Sequence, residues 1–430
     1  MQPPTEGRPV TAAMRRYTMV VLAVVYMFNF IDRYILAILL PAIREEFQVG
    51  DTLLGLLTGT AFALFYVAVG IPVARLADKV NRRNLIAVAV AVWSGMTALS
   101  GLAANVWQLT LARIGVGIGE AGCSPPAHSM IADLYPPEQR SSAMGFYTLG
   151  IGAGIMLAYL AGGWVAQNIG WREALFIVGL PGLLLALIVR FTLAEPARGA
   201  SEKRRDSGRQ PAFRLVMRFL VSRRSFVYMA VGAGLISFVG YSIGNFMPSF
   251  IERSYGMELA AIGLWLGLIN GTAGGFGFFL GGYLADRVGR AGQARAVRFL
   301  ALASIFTALL HVGVFVAPTA GWSLVLFVLP ALTSNFYLAP VLGQTQSLVS
   351  LRMRAVASAI MLLVINVIGL ALGPPVTGLI SDLLLPRFGD DSMRYALLIV
   401  STILLPLSAW CLHRAGCFIE NDLGRADEHD

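Results

Sequence analysis

Apolar stretches of about 20 residues recur along the whole chain, and short polar loops separate them. A helix of that length crosses a hydrocarbon core of about 30 Å. The pattern predicts an all-α polytopic membrane protein with twelve transmembrane helices, called spans 1 to 12 here. Their predicted bounds are 18–40, 53–74, 84–104, 107–130, 142–166, 172–191, 226–250, 260–284, 297–317, 322–349, 356–381 and 395–413.

The polar segments between the spans predict the topology. Residues 191–224 hold nine arginines and lysines against three acidic residues, and further basic clusters follow spans 2 and 8. The opposite loops, such as "REEFQVGD" and "RFGDDSM", are neutral or acidic. Because cytoplasmic loops are enriched in arginine and lysine, both termini and the long linker are expected in the cytoplasm, with the protein in the inner (plasma) membrane. The predicted domains are an N-terminal tail (1–16), a six-helix bundle (17–191), a linker (192–224), a second six-helix bundle (225–414) and a C-terminal tail (415–430).

The composition excludes several other classes of protein. Hydrophobic residues make up 57% of the 430 residues and charged residues 13%, whereas soluble domains carry about 25% charged residues. The net charge of +9 lies in loops, so it indicates topology and not a nucleic-acid partner. Cys123, Cys411 and Cys417 have neither metal nor disulfide spacing. No metal or other cofactor is expected. The sequence shows no set of nucleophile, base and acid residues, which argues against a membrane enzyme.

The two sets of six spans resemble each other. "RLADKVNR" (75–82) matches "YLADRVGR" (283–290), and "LPAIREEF" (40–47) matches "MPSFIERS" (247–254). Such paired halves, joined by a cytoplasmic linker, are typical of transporters that rock two bundles around a central site.

The loop after span 8 resembles the signature of the major facilitator superfamily, G-x-x-x-D-R-x-G-R. In "GGYLADRVGR" the two glycines of that pattern are present, whereas Ala74 and Asn81 replace them in the first-half copy. The resemblance implies alternating access, with this cytoplasmic loop gating the change of state. The candidate gating residues are Asp78, Arg82, Arg83, Asp286, Arg287 and Arg290.

Two longer segments resemble the Spinster branch of that superfamily, in a bacterial-type form. They are "FNFIDRYILAILLPAIREEF" in span 1 and "RIGVGIGEAGCSPPAHSMIADLYPPEQRSSAMGFY" from span 4 onwards. Members of this branch export lysophospholipids and sphingosine-1-phosphate. The resemblance therefore implies an amphipathic, anionic lipid as substrate.

Four charged residues stand within spans of the first half: Asp32, Arg33, Arg113 and Glu120. When the halves are aligned through their matching prolines and tryptophans, the second half has Val239, Gly240, Val328 and Asn335 at these positions. An ionised residue at the bilayer centre costs on the order of 3 kcal/mol on insertion scales. A purely structural need would be expected in both halves, so these charges indicate function.

Depth along the helices predicts how these charges are arranged. At 1.5 Å per residue, Asp32 and Arg113 lie roughly 12 and 9 Å from the outer surface, and Glu120 lies roughly 10 Å deeper than Arg113. We therefore expect Asp32 to pair with Arg113, Arg33 to be available for an anionic ligand, and Glu120 to be isolated in a neutral form. Asp32 and Glu120 are the candidate proton-coupling residues. The candidate substrate-binding residues are Arg33, Arg113, Tyr241, Asn245, Phe246, Asn335, Tyr337 and Asn366.

These observations favour a monomeric, proton-coupled transporter of amphipathic anionic lipids, whose partners are the lipid substrate, protons and membrane lipids. The alternative is a proton-coupled symporter of small organic anions such as sugar acids. Spans 7, 8, 10 and 11 contain almost no internal cations, which favours a substrate with an apolar tail. A channel or a membrane enzyme is disfavoured by the internal repeat and by the missing catalytic residues.

Overall fold

The computed structural model describes residues 11–77, 79–197, 213–350 and 353–427, and this part of the chain contains helices and no strand. All twelve predicted spans are helical. Seven of them are single helices, although four of these contain an internal proline. They are Ala12–Phe47 (span 1), Arg82–Ser100 (span 3), Pro137–Asn168 (span 5), Trp171–Thr192 (span 6), Arg224–Tyr255 (span 7), Gln293–Val316 (span 9) and Ser392–Asp427 (span 12).

The other five spans are interrupted. A single π-helical turn lies within span 2 (Leu56–Thr60), span 8 (Asn270–Gly274) and span 11 (Val367–Ala371). Such turns occur often at functional sites. The α-helical parts of these spans are Asp51–Gly55 and Ala61–Ala77, Leu259–Ile269 and Gly275–Gly289, and Arg354–Asn366 and Gly373–Phe388.

Spans 4 and 10 are each broken into two helices. Span 4 consists of Val106–Glu120 and Ser124–Leu134, and span 10 of Ala320–Thr333 and Leu338–Ser347. In span 4 the second helix begins with prolines in its first turn, where a missing backbone N–H costs nothing. The two breaks occupy equivalent positions in the two halves, as the internal repeat predicts.

Ten helical segments of the described chain are long and apolar enough to cross a membrane. One of them, Val356–Gly424, contains spans 11 and 12 together. Span 4 is absent from these ten because each of its two helices is too short alone. The apolar pattern therefore agrees with twelve spans.

The chain forms two compact units. The first contains residues up to Ile43 and from Ala61 to the linker, and the second contains Arg44–Thr60 and the chain from the linker onwards. The first part of span 2 thus packs with the second unit, although the sequence placed it in the first bundle. The predicted tail that starts at residue 415 is helical as far as Asp427, because span 12 continues through it.

Candidate substrate and proton site

The first unit buries two ion pairs between spans 1 and 4, each formed by an arginine and a carboxylate. In the first pair, Arg113 Nη1 lies 3.3 Å from Asp32 Oδ1, and both side chains are 2% exposed. The same nitrogen donates to the Asp32 backbone carbonyl at 3.4 Å. The Thr97 hydroxyl of span 3 donates to Asp32 Oδ2 at 2.6 Å. The predicted pairing of Asp32 with Arg113 is confirmed.

The second pair corrects the sequence interpretation. Arg33 Nη2 donates to Glu120 Oε2 at 2.6 Å, and Arg33 Nε lies 3.3 Å from the same oxygen. The prediction that Glu120 is isolated is therefore wrong, and so is the expectation that Arg33 is left unpaired. Depth counted along the backbone ignores the length of an arginine side chain, so it overestimates the separation of the two charged groups.

Aromatic rings surround the guanidinium of Arg33. Its central carbon lies 4.9 Å from the ring centre of Phe62, 5.2 Å from that of Tyr66 and 5.3 Å from that of Phe30. A cation within about 6 Å of a ring face is attracted by its quadrupole. The Arg33 side chain is 13% exposed, whereas that of Glu120 is 0% exposed. Arg33 is therefore the most accessible of the four charges.

Two glycines of span 4 bring the neighbouring helices close enough to form this site. A Cβ on Gly117 would lie 2.7 Å from the carbonyl oxygen of Phe62 in span 2. A Cβ on Gly119 would lie 2.6 Å from the backbone nitrogen of Trp93 in span 3. Small residues allow such close approach of helices in membranes. The glycine-rich run of span 4 thus allows spans 2 and 3 to pack closely against the helix that carries Arg113 and Glu120.

The four charges sum to zero. Burying ions is costly unless they are paired and hydrogen-bonded, and each arginine here has a carboxylate partner. Arg113 Nε has no hydrogen-bond partner among the described residues. With all four groups ionised, the cluster is therefore neutral as a whole.

The candidate asparagines of the second unit bond mainly to their own helices. The amides of Asn245, Asn335 and Asn366 donate to the carbonyl four residues earlier, at 2.8, 3.1 and 2.9 Å. Asn335 also donates to the Gly274 carbonyl of span 8 at 3.2 Å. These contacts stabilise spans 7, 8, 10 and 11, and a role in substrate binding stays a prediction.

The aromatic candidates of the second unit differ from one another in burial. Phe246 is 0% exposed and belongs to the packed interior of the unit, so it does not present a binding surface here. Tyr241 is partly exposed. Tyr337 lines a small cavity together with the hydroxyls of Thr307 and Thr333. The sequence could not separate these cases because all three residues lie in predicted apolar spans.

Comparison with known families agrees with this architecture. The sequence profile described as Major Facilitator Superfamily matches residues 22–374. The chain belongs to the major facilitator superfamily. This is a superfamily of transporters, and the protein is an integral multi-pass membrane protein.

Relatives of this major facilitator include several Spinster proteins. An MFS-type efflux pump of Mycolicibacterium smegmatis is 31% identical over 407 residues, covering 94% of this chain and 93% of that protein. Human protein spinster homolog 1 is 33% identical over 239 residues, which cover 54% of this chain and 45% of that protein. A sphingosine-1-phosphate transporter of Danio rerio is 30% identical over 245 residues, covering 54% and 47%. The match thus spans less than half of those vertebrate proteins.

A solved structure resembles this major facilitator over nearly its whole length. It is a bacterial homologue of the human lysosomal transporter Spinster in an inward-facing, unoccupied conformation, with a TM-score of 0.83 and 29% identity. It covers 97% of this chain and 98% of the other. The resemblance of the sequence to a bacterial-type Spinster protein is confirmed.

Arg82, a candidate gating residue of the first half, is the centre of a buried network in this major facilitator. Arg82 is 1% exposed and joins the start of span 3 to the ends of spans 4 and 6. Its partners are Glu195 Oε1 (2.7 Å), Ser129 Oγ (2.8 Å), the Pro196 carbonyl (2.7 Å) and the Asp133 carboxylate. The Arg82 guanidinium therefore holds three segments of the first unit together.

Two neighbours of Arg82 complete this picture. Arg83 donates its backbone N–H to Glu195 Oε2 at 2.9 Å and its side chain to the Leu193 carbonyl at 3.2 Å. Asn81, which replaces a signature glycine, accepts from Asn84 N at 3.0 Å and caps the helix of span 3. Asparagine is a favourable N-cap residue, so Asn81 stabilises the start of this helix where the signature has a glycine.

The second-half gating residues are different. Asp286, Arg287 and Arg290 are exposed, and no ion pair joins them to another residue within the described ranges. Asp78 lies outside the described residues. Gating by either loop stays a prediction.

The sequence reading missed a buried carboxylate in the second unit. Asp51 is 1% exposed; it pairs with both terminal nitrogens of Arg253 and accepts from Ser381 Oγ at 2.7 Å. Asp382 in turn accepts from the backbone nitrogens of Asp51 and Thr52, both at 2.8 Å, so it caps the first turn of span 2. These residues lie at or near the ends of helices, where the sequence pattern alone gave no reason to expect a buried carboxylate.

Proposed function

We propose that this chain is a proton-coupled secondary transporter of amphipathic anionic lipids, of the lysophospholipid or sphingosine-1-phosphate type, and that it works by alternating access. The observation that carries the proposal is the Arg33–Glu120 pair, buried beside the Asp32–Arg113 pair in a neutral cluster.

Charge balance links the headgroup to a proton. An anionic headgroup that binds Arg33 competes with Glu120 for the same guanidinium. Glu120 would then be a buried carboxylate without a partner, which costs several kcal/mol. A proton on Glu120 removes this penalty and leaves the cluster with one positive charge. That charge matches one phosphate or carboxylate group, so binding of the anion and binding of a proton support each other.

Further observations support a lipid substrate and a location in the inner membrane. The aromatic rings around Arg33 offer apolar surface beside the charge. The relatives include an efflux pump and a sphingosine-1-phosphate transporter. The basic residues of the linker favour an inner membrane location with both termini in the cytoplasm. A monomer suffices, because the four charges belong to one unit of one chain.

The test is the substitution Glu120→Gln in the full-length protein, reconstituted in proteoliposomes. We expect lysolipid binding to persist, because Arg33 is retained, and transport driven by a pH gradient to be lost. Glu173→Gln, which removes an exposed carboxylate at the start of span 6, is the matched control and should respond to the gradient like the parent.

Two results would contradict the proposal. If Glu120→Gln still follows the gradient, coupling resides elsewhere, with Asp32 the next residue to test. If sugar acids displace a bound lysolipid as well as other lysolipids do, the substrate is a small organic anion.

A further inference from the structure

The segment that enters span 7 contains a short helix with three distinct faces. It runs from Phe213 to Val221, and span 7 begins three residues later at Arg224. The side chains of Val216 and Leu220 are fully buried, and the helix packs against the first helix of span 11 and against span 7. This face holds the helix on the second unit, at the membrane end of span 7.

The opposite face carries two arginines. Arg214 and Arg218 are exposed, and their spacing of four residues places them side by side on one ridge of the helix. The apolar side chains Leu215 and Val221, 59% and 58% exposed, lie on the two sides of that ridge. Water is a poor environment for such side chains. They fit the boundary between headgroups and acyl chains, where a basic amphipathic helix lies in the membrane plane.

The junction with span 7 adds further positive charge. Arg223 is buried, with its guanidinium 4.6 Å from the ring centre of Phe219. Arg224 lies 5.6 Å from the ring centre of Phe418 in span 12. Between Phe213 and Arg224 the sequence holds four arginines and no acidic residue. The surface is therefore complementary to negative charge and is tied to the unit through aromatic contacts.

We propose that the helix Phe213–Val221 is a docking surface for anionic phospholipid headgroups of the leaflet from which span 7 starts. Arg214 and Arg218 bind the headgroups, and Leu215 and Val221 enter the apolar boundary beside them. This surface is separate from the four-charge cluster, so the proposal does not depend on what the protein transports.

The experiment uses the full-length protein in lipid nanodiscs. Leu215→Cys carries an environment-sensitive fluorophore in a Cys417→Ser background, since Cys417 is exposed while Cys123 and Cys411 are buried. Accessibility to the neutral quencher acrylamide gives the ratio of docked to undocked helix. Nanodiscs contain phosphatidylcholine alone or with phosphatidylglycerol. We expect stronger protection with phosphatidylglycerol, and loss of that gain at high salt.

Charge variants test the role of the arginines. Arg214→Gln/Arg218→Gln should lower the docked-to-undocked ratio with phosphatidylglycerol by about fivefold for each arginine. Arg214→Lys/Arg218→Lys keeps the charge and should retain the response, which separates charge from helix stability. Arg16→Gln/Arg295→Gln removes two other exposed arginines and should leave the response unchanged. Equal protection in both lipids, or an undiminished response in the glutamine variant, would overturn the proposal and favour another occupant such as a protein.

Discussion

Removing one member of the Asp32–Arg113 pair should destabilise the protein far more than removing both. At 3.3 Å and an effective dielectric constant of about 20, the attraction is on the order of 5 kcal/mol. Breaking a buried pair costs about 3–5 kcal/mol, because it leaves one charge uncompensated. The two single variants need not be equal in cost.

The surroundings of each residue set the order of the effects. Asp32→Asn leaves the Arg113 charge with a backbone carbonyl at 3.4 Å and the Phe62 ring at 5.9 Å, so we expect a loss of about 4 kcal/mol. Arg113→Gln leaves Asp32 with the Thr97 hydroxyl at 2.6 Å. This hydrogen bond to a charged group offsets part of the loss, which should be about 3 kcal/mol. The double variant removes both charges and should cost about 1–2 kcal/mol, giving a coupling of several kcal/mol.

The assay is a denaturant titration in detergent, which measures the free energy of unfolding of the parent, both single variants and the double variant. A matched control combines Arg113→Gln with Asp422→Asn, whose carboxylate accepts from the Ser225 nitrogen in the second unit. That combination should be additive, because the two residues share no partner. Additive costs for Asp32→Asn and Arg113→Gln would refute the inference that the pair stabilises the site.

Three further predictions concern the networks outside the site. Arg82→Lys keeps the charge but cannot reproduce the planar contacts to spans 4 and 6, so we expect a loss of about 2–4 kcal/mol in the same unfolding assay; a stability equal to the parent would show that the network contributes little. Asp51→Asn should cost about 3–5 kcal/mol by leaving Arg253 without its carboxylate, and adding Arg253→Gln should restore much of the loss, whereas no rescue would argue against the pairing. Asp422→Ala removes the carboxylate that caps the first turn of span 7, and it should lower the free energy of unfolding by about 1 kcal/mol. The local effect should be faster protease cleavage near residue 224, and unchanged cleavage would contradict the prediction.

The charged residues of the site could be found from the sequence because they are unusual in two ways. Asp32, Arg33, Arg113 and Glu120 stand in apolar spans, and the second half of the chain has neutral residues at the matching positions. Counting depth then paired Asp32 with Arg113 correctly, because their Cα atoms lie at similar levels. The same counting failed for Glu120, because it places backbones and not the ends of long side chains.

The partners of these charges could not be found in the same way. Thr97, Phe62 and Tyr66 look like ordinary residues of apolar helices, and only the close approach at Gly117 and Gly119 brings their helices to the site. Asp51 and Asp382 lie 331 residues apart and meet only through packing within the second unit.

The sequence by itself determined the number of spans and identified the charged residues that stand within them. These properties depend on transfer of side chains between water and hydrocarbon, which acts on each segment separately. Tertiary structure decided which charge faces which partner. That choice depends on the rotation and separation of neighbouring helices, and contacts such as Gly117 against Phe62 fix both. Arg33 meets Glu120 only in the packed unit, and no pattern along a single helix could place these two side chains beside each other.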